Sequence, residues 1–169
     1  MVEEFVNFAR LPAPVFNNYD ICELLNDLVF SRQNISQNTV IEKTIPPEPI
    51  ILNGDISQIT RVFINLLKNA EESIEELRKN KNENIKGVIT VIVILLDKKI
   101  CRVQILDNGM GFSDNMINVI TEPYVTTKSK GTGLGLSIVK KIIEDHNATI
   151  SFSNTNNGAC VTVDFYVNH

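Results

Sequence analysis

From Asp55 onward, apolar residues recur at Ile59, Phe63, Leu66, Ala70, Ile74 and Leu77, a spacing that lays one stripe along a helix. Asp55 is a good N-cap for that helix, with Gln58 three residues on as a capping-box partner. Arg78 to Lys86 is dense in Lys, Asn and Glu without periodicity and reads as an exposed loop. Upstream, Asp20 caps a second helical pattern with Ile21, Leu24, Leu25 and Leu28 on one face. Met1 to Arg10 reads as a short helix ended by Pro12 and Pro14, which makes Leu11–Pro14 a stop and a linker.

Alternation predicts the strands. Thr39–Ile45 and Ile50–Leu52 are short ones, separated by Pro46, Pro47 and Pro49. Val88–Leu96 and Ile100–Asp107 form a hairpin around Asp97–Lys99. In its second strand Arg102 and Gln104 take one face and Cys101, Val103 and Ile105 the other, and Asp107 has the parity of the apolar set. A carboxylate aimed to the core side at a strand's end is costly unless something binds it there. Asn108 to Thr132 is a long Gly-, Ser-, Thr- and Lys-containing stretch with a helical hint only at Ser113–Ile120, the pattern of a functional loop or lid. A last helix is expected from about Gly133 to His146, burying Leu136, Val139, Ile142 and Ile143. Strands Thr149–Ser153 and Ala159–Val167 close the chain around an Asn-rich turn ending at Gly158.

Composition narrows the function classes. The 169 residues suffice for one domain with one core, and 43% hydrophobic against 21% charged residues is a globular balance. A net charge of −4 argues against nucleic acid or an anionic membrane as the main partner. The longest apolar run, Val88–Leu96, is interrupted by Thr90 and falls far short of the ~20 residues of a spanning helix. Glu3 and Glu4 stand where a signal peptide would be basic. A cytoplasmic location without direct membrane contact is the expectation. Cys22, Cys101 and Cys160 are far apart and odd in number, which fits three small core residues in a reducing compartment and no zinc site.

Four features carry candidate chemistry, in order along the chain. Asn65 and Asn69, four apart, project from the same side of the Asp55 helix, with Arg61 and Glu72 extending the polar stripe. Amide oxygens suit Mg²⁺, although by itself the pair also fits two solvated asparagines. Asp107-Asn108-Gly109-Met110-Gly111 offers a carboxylate that can accept from an exocyclic amine, and glycines that let backbone approach a flat ring; a plain strand turn with a capping Asp fits as well. In Thr121-Glu122-Pro123-Tyr124-Val125-Thr126-Thr127-Lys128, two hydroxyls and an ammonium together suit a terminal phosphate, although by itself Lys128 fits better as a solvated lysine in a loop. Gly131-Thr132-Gly133-Leu134-Gly135-Leu136 runs into the last helix and offers backbone N–H groups and a helix N-terminus to an anion. It neither follows a strand in a βαβ unit nor contains Gly-Lys-Ser or Gly-Lys-Thr, so dinucleotide and Walker motifs fail.

Together these motifs resemble the catalytic ATP-binding domain of sensor histidine kinases. The matches are its N box (Asn65 to Ala70), first glycine box (Asp107 to Gly111), F box (Glu122 to Lys128) and second glycine box (Gly131 to Leu136). Phe8-Ala9-Arg10-Leu11-Pro12-Ala13-Pro14 is similar to the end of the second dimerisation helix in nitrogen-regulation kinases of the NtrY type. The resemblance implies residues 1–17 as helix end and linker, and 18–169 as the catalytic domain. It implies an α/β fold: a two-layer sandwich of the Bergerat type, with a mixed, mostly antiparallel sheet, about three helices and an ATP lid. It implies ATP and Mg²⁺, with Asn69 on the metal and Asn65 near the phosphates. It gives Asp107 the adenine amino group and Gly109 and Gly111 the adenine pocket. Thr127 and Lys128 fall near the γ-phosphate and, with Asn65, are the catalytic candidates, while Thr126 binds the nucleotide and Gly131, Thr132, Gly133, Leu134, Gly135 and Leu136 lie around the phosphates. Thr162 would support the adenine water network. Tyr124 stands where the F box usually has phenylalanine, keeping a ring whose hydroxyl needs a partner.

Gyrase- and chaperone-type relatives place a glutamate where Asn65 stands. An amide is no general base, which fits phosphoryl transfer rather than hydrolysis. The implied partners are a histidine-bearing dimerisation domain and a response regulator, and the fragment is expected to be monomeric. No acceptor-like histidine motif occurs here: His146 falls at a helix C-terminus, where it complements the dipole, and His169 is the last residue. A nucleotide-gated regulatory module and a serine kinase of the anti-sigma type remain open alternatives.

Overall fold

The computed structural model describes residues 11–33, 38–117 and 135–167. The helix expected over Met1–Arg10, the F-box residues Thr126, Thr127 and Lys128, Gly131 to Leu134, and His169 lie outside the described residues.

A short strand, β1 (Asn17–Asp20), leads into helix α1 (Ile21–Arg32), and Asp20 caps it by accepting from Cys22 N at 3.0 Å. The same carboxylate oxygen accepts from Ile50 N at 3.1 Å, tying the cap to β3 (Ile51–Gly54), the antiparallel partner of β1. The main sheet has five strands: β2 (Thr39–Thr44), β4 (Gly87–Leu96), β5 (Ile100–Asp107), β6 (Thr149–Asn154) and β7 (Ala159–Tyr166), in the order β2-β4-β5-β7-β6. β2 and β4 run parallel, connected through the long helix α2 (Ile56–Lys81), and the other neighbours are antiparallel. Asp97 and Lys98 both take positive φ in the β4–β5 turn, the hand that suits strand twist.

Helix α3 (Asp114–Ile117) is a single turn, and α4 (Gly135–Asp145) precedes β6. α2 packs on α4, β4 and β5. Phe63, Leu66, Ile74, Val139 and Ile142 meet Ile89, Val91, Val103, Ile105 and Phe165 in one core. Alternation in β5 is as expected: Cys101, Val103 and Ile105 are buried, whereas Arg102 holds Asp164 through two bonds of 2.8 and 2.9 Å on the reverse face. All three cysteines are buried free thiols. Among the described residues, no helix is long and apolar enough to cross a membrane.

The expected loop from Arg78 is a correction. α2 continues through Lys81, because Arg78 donates to Asn38 O at 2.6 Å, Thr39 Oγ1 at 3.0 Å and Ile85 O at 2.8 Å. Those bonds fasten the last turn to the start of β2. Asn82, at φ 51°, ends the helix with its N–H turned back to Arg78 O and Lys79 O.

Candidate functional site

The sequence spacing puts Asn65, Asn69 and Ser73 at successive four-residue steps of α2, and all three are half-buried. Asp107 ends β5 opposite Ile89, and directly paired residues share a face, so the carboxylate belongs to the helix side of the sheet. Its Oδ1 accepts from Gly109 N at 2.8 Å. Asn108 stitches the two strand ends, accepting from Val88 N at 2.8 Å and donating to Lys86 O at 2.9 Å.

The glycine at 109 is required by packing. A Cβ there would collide with Ser73 Oγ and come within 2.6 Å of the Ser73 carbonyl carbon and 2.7 Å of Ile74 N. The loop after Asp107 therefore lies directly on the α2 backbone, one turn beyond Asn69. Gly111 takes φ +73°, which glycine adopts without strain. A Cβ at Gly158, in the β6–β7 turn, would strike the Asp107 carbonyl oxygen and sit 3.0 Å from Asn108 Cα. That turn covers the end of β5, a role the sequence shows only as a loop glycine.

Of the remaining candidates, Gly135 and Leu136 open α4; Leu136 is partly buried against the core, and a Cβ at Gly135 would meet no described atom within 4 Å. Thr162 is a correction. It pairs with Gln104, and Gln104 Nε2 donates to its hydroxyl at 3.3 Å, so it lies on the sheet face opposite that of Asp107. An adenine network on the helix side is out of its reach.

The far end of α2 holds a junction that sequence reasoning missed. Asp55 accepts from Gln58 N at 3.1 Å, but Gln58 does not complete a capping box: its Nε2 donates to Pro12 O at 2.9 Å. The Asp55 N–H goes instead to His146 Nε2 at 3.0 Å, while His146 Nδ1 lies 2.7 Å from Ile142 O. Phe16 stacks on that ring at 4.9 Å. His146 is thus more than a complement to a helix dipole, since both of its nitrogens are engaged with backbone.

A mixed, mostly antiparallel sheet covered on one face by helices, with an asparagine-bearing helix against a carboxylate–glycine loop, defines an α/β sandwich built around that junction. Residues 54–169 match the Histidine kinase-, DNA gyrase B-, and HSP90-like ATPase family, and the chain belongs to it. It is 40% identical over 161 residues to an NtrY-like sensor histidine kinase of Rickettsia bellii, covering 95% of this chain and 25% of that protein. It is 35% identical over 158 residues to the nitrogen regulation protein NtrY of Azorhizobium caulinodans, covering 94% and 20%. The nucleotide-free catalytic domain of histidine kinase ThkA superposes with a TM-score of 0.76 at 28% identity, over 90% of this chain and 96% of that one. The chain spans about a quarter of the length of the curated relatives it matches.

Proposed function

We propose that the chain binds Mg-ATP and transfers the γ-phosphate to a histidine on a dimerisation domain, for relay to an aspartate of a response regulator. The observation that carries this reading is the docking of the Asp107–Gly111 loop onto α2 at Ser73, in line with Asn69 and Asn65. It sets the loop that carries the Asp107 carboxylate against the helix that carries the two amides.

In this reading Asp107 accepts from the adenine amino group, and Gly109 and Gly111 shape the loop beneath the ring. Asn69 holds Mg²⁺ through its amide oxygen and Asn65 lies by the phosphates. Thr127 and Lys128 act on the terminal phosphate, Thr126 binds the nucleotide, and the Gly131–Leu136 backbone wraps the chain of phosphates. Among the described residues no three His, Cys, Asp or Glu side chains gather as a metal set. The donors offered are neutral amides, which suit a hard cation that keeps phosphate and water oxygens. An ion held there would supply neutralisation of phosphate charge. Asn65 cannot take a proton from water, which favours transfer over hydrolysis. His146 is a poor acceptor, because both ring nitrogens already face backbone partners.

Calorimetric titration of ATP and ADP, with and without Mg²⁺, tests the reading. Wild type should bind, and Asp107→Asn should weaken binding about 10- to 150-fold, the equivalent of ~1.5–3 kcal/mol for a hydrogen bond to a charged group. The chain by itself should take up no label from γ-labelled ATP. With a separately made dimerisation domain it should yield acid-labile phosphate, whereas acid-stable phosphate would mean transfer to serine.

A further inference from the structure

Two side chains outside the four motifs grip the loop that follows Asp107. From α2, Ser73 Oγ accepts from Met110 N at 2.9 Å, beside the point where Gly109 rests on the helix backbone. From the end of β6, Asn154 pairs with one residue in both directions. Its Oδ1 accepts from Phe112 N at 2.7 Å and its Nδ2 donates to Phe112 O at 2.6 Å. Asn154 thereby acts as a one-residue strand partner, extending the sheet edge to the loop. The Phe112 ring meets Phe152 edge-on at 5.8 Å, and Phe152 stands two residues before Asn154 on the same strand.

We propose that Ser73 and Asn154 are positioning residues for nucleotide binding: they hold Gly109–Phe112 in the arrangement that presents Asp107 to the base. The proposal rests on the nucleotide reading above. Between the two grips lies Gly111 at φ +73°, whose Cβ, if it had one, would stand 3.0 Å from Asn154 Oδ1. A glycine there gives the loop freedom that the grips remove. The Asp107–Gly109 bond is local, spanning two residues, and sets only the start of the turn. The two grips come from residues 37 and 42 positions away in sequence, so they tie the rest of the loop to the body of the fold. Asn154 is exposed and its two bonds face solvent, so breaking them strands no buried polar group.

The test is calorimetric titration of ATP and of ADP into the 169-residue chain, wild type against Ser73→Ala and Asn154→Leu, with thermal unfolding recorded for each. A loop in its competent arrangement about a tenth of the time raises the apparent Kd about tenfold. Each variant should lose that factor equally for ATP and ADP, since both carry the same base, and Ser73→Thr, which keeps the hydroxyl, should restore binding. Unchanged affinity in folded variants, even with a lower Tm, overturns the positioning role. So does a loss larger for ATP than for ADP, which would place the effect on the phosphate side. If wild type binds neither nucleotide, the nucleotide reading itself fails and the proposal falls with it. Should Asn154→Leu not fold, Ser73→Ala decides by the same criteria.

Discussion

His146 joins two helices through one neutral ring. With Nδ1 donating to Ile142 O and Nε2 accepting from Asp55 N, the imidazole has to carry its proton on Nδ1. His146→Phe keeps a ring for Phe16 to stack on but leaves the Asp55 N–H without an acceptor. A stranded backbone donor of this kind costs about 1–3 kcal/mol. The expected result is a lower urea midpoint at an unchanged m-value, and an unmoved midpoint would refute the role. Nothing in the local sequence announces this contact, because the two residues are 91 positions apart. Arg78 is the same kind of case. It sits in a polar, aperiodic run, yet besides Glu75 one turn back its acceptors belong to the start of β2 and the turn before β4. Its truncation to Ala should lower stability by a similar ~1–3 kcal/mol, read in the same titration.

At the scale of elements, the start of α2 couples a cap to the linker. Asp55 accepts from Val15 N at 2.9 Å as well as from Gln58 N, and these bonds hold its carboxyl below the ordinary carboxylate range. A group with a folded pKa lower than its unfolded one stabilises fully above the unfolded value and loses that contribution as pH falls through the folded value. Asp55→Ala should therefore cost about 0.5–2 kcal/mol at neutral pH, the usual worth of an N-cap. Its deficit relative to wild type should shrink toward acid. Urea unfolding of both proteins at neutral and acid pH decides it, and a deficit independent of pH would contradict the linkage. The cap and the buried stripe were legible in the sequence because both are local. The second arm of the cap was not, since Gln58 finds Pro12 O and His146 takes its place.

For the whole molecule, one core sets the alkaline limit of stability. Burial pushes the Cys101 thiol from 9.0 up to about 12 and raises Cys22 and Tyr19 as well. Above about pH 9 the unfolded chain releases protons that the folded one keeps, so stability should fall as pH rises. Urea midpoints measured across that range check the sign. All three cysteines should also resist a thiol reagent in the native protein and react together in denaturant. The sequence by itself determined the helical stripe of α2, the hairpin, the core-side parity of Asp107 and the four motifs in their order. It even held the correction for Thr162, since Val161, Val163 and Phe165 occupy the other parity of β7. Tertiary structure alone decided that Gly109 rests on Ser73, that Gly158 covers Asp107, that Asn154 grips Phe112 and that His146 answers Asp55. Periodicity and capping are written within a few residues of one another. These contacts join positions roughly 35 to 90 residues apart, and they exist only once strand register and helix docking have brought the partners together.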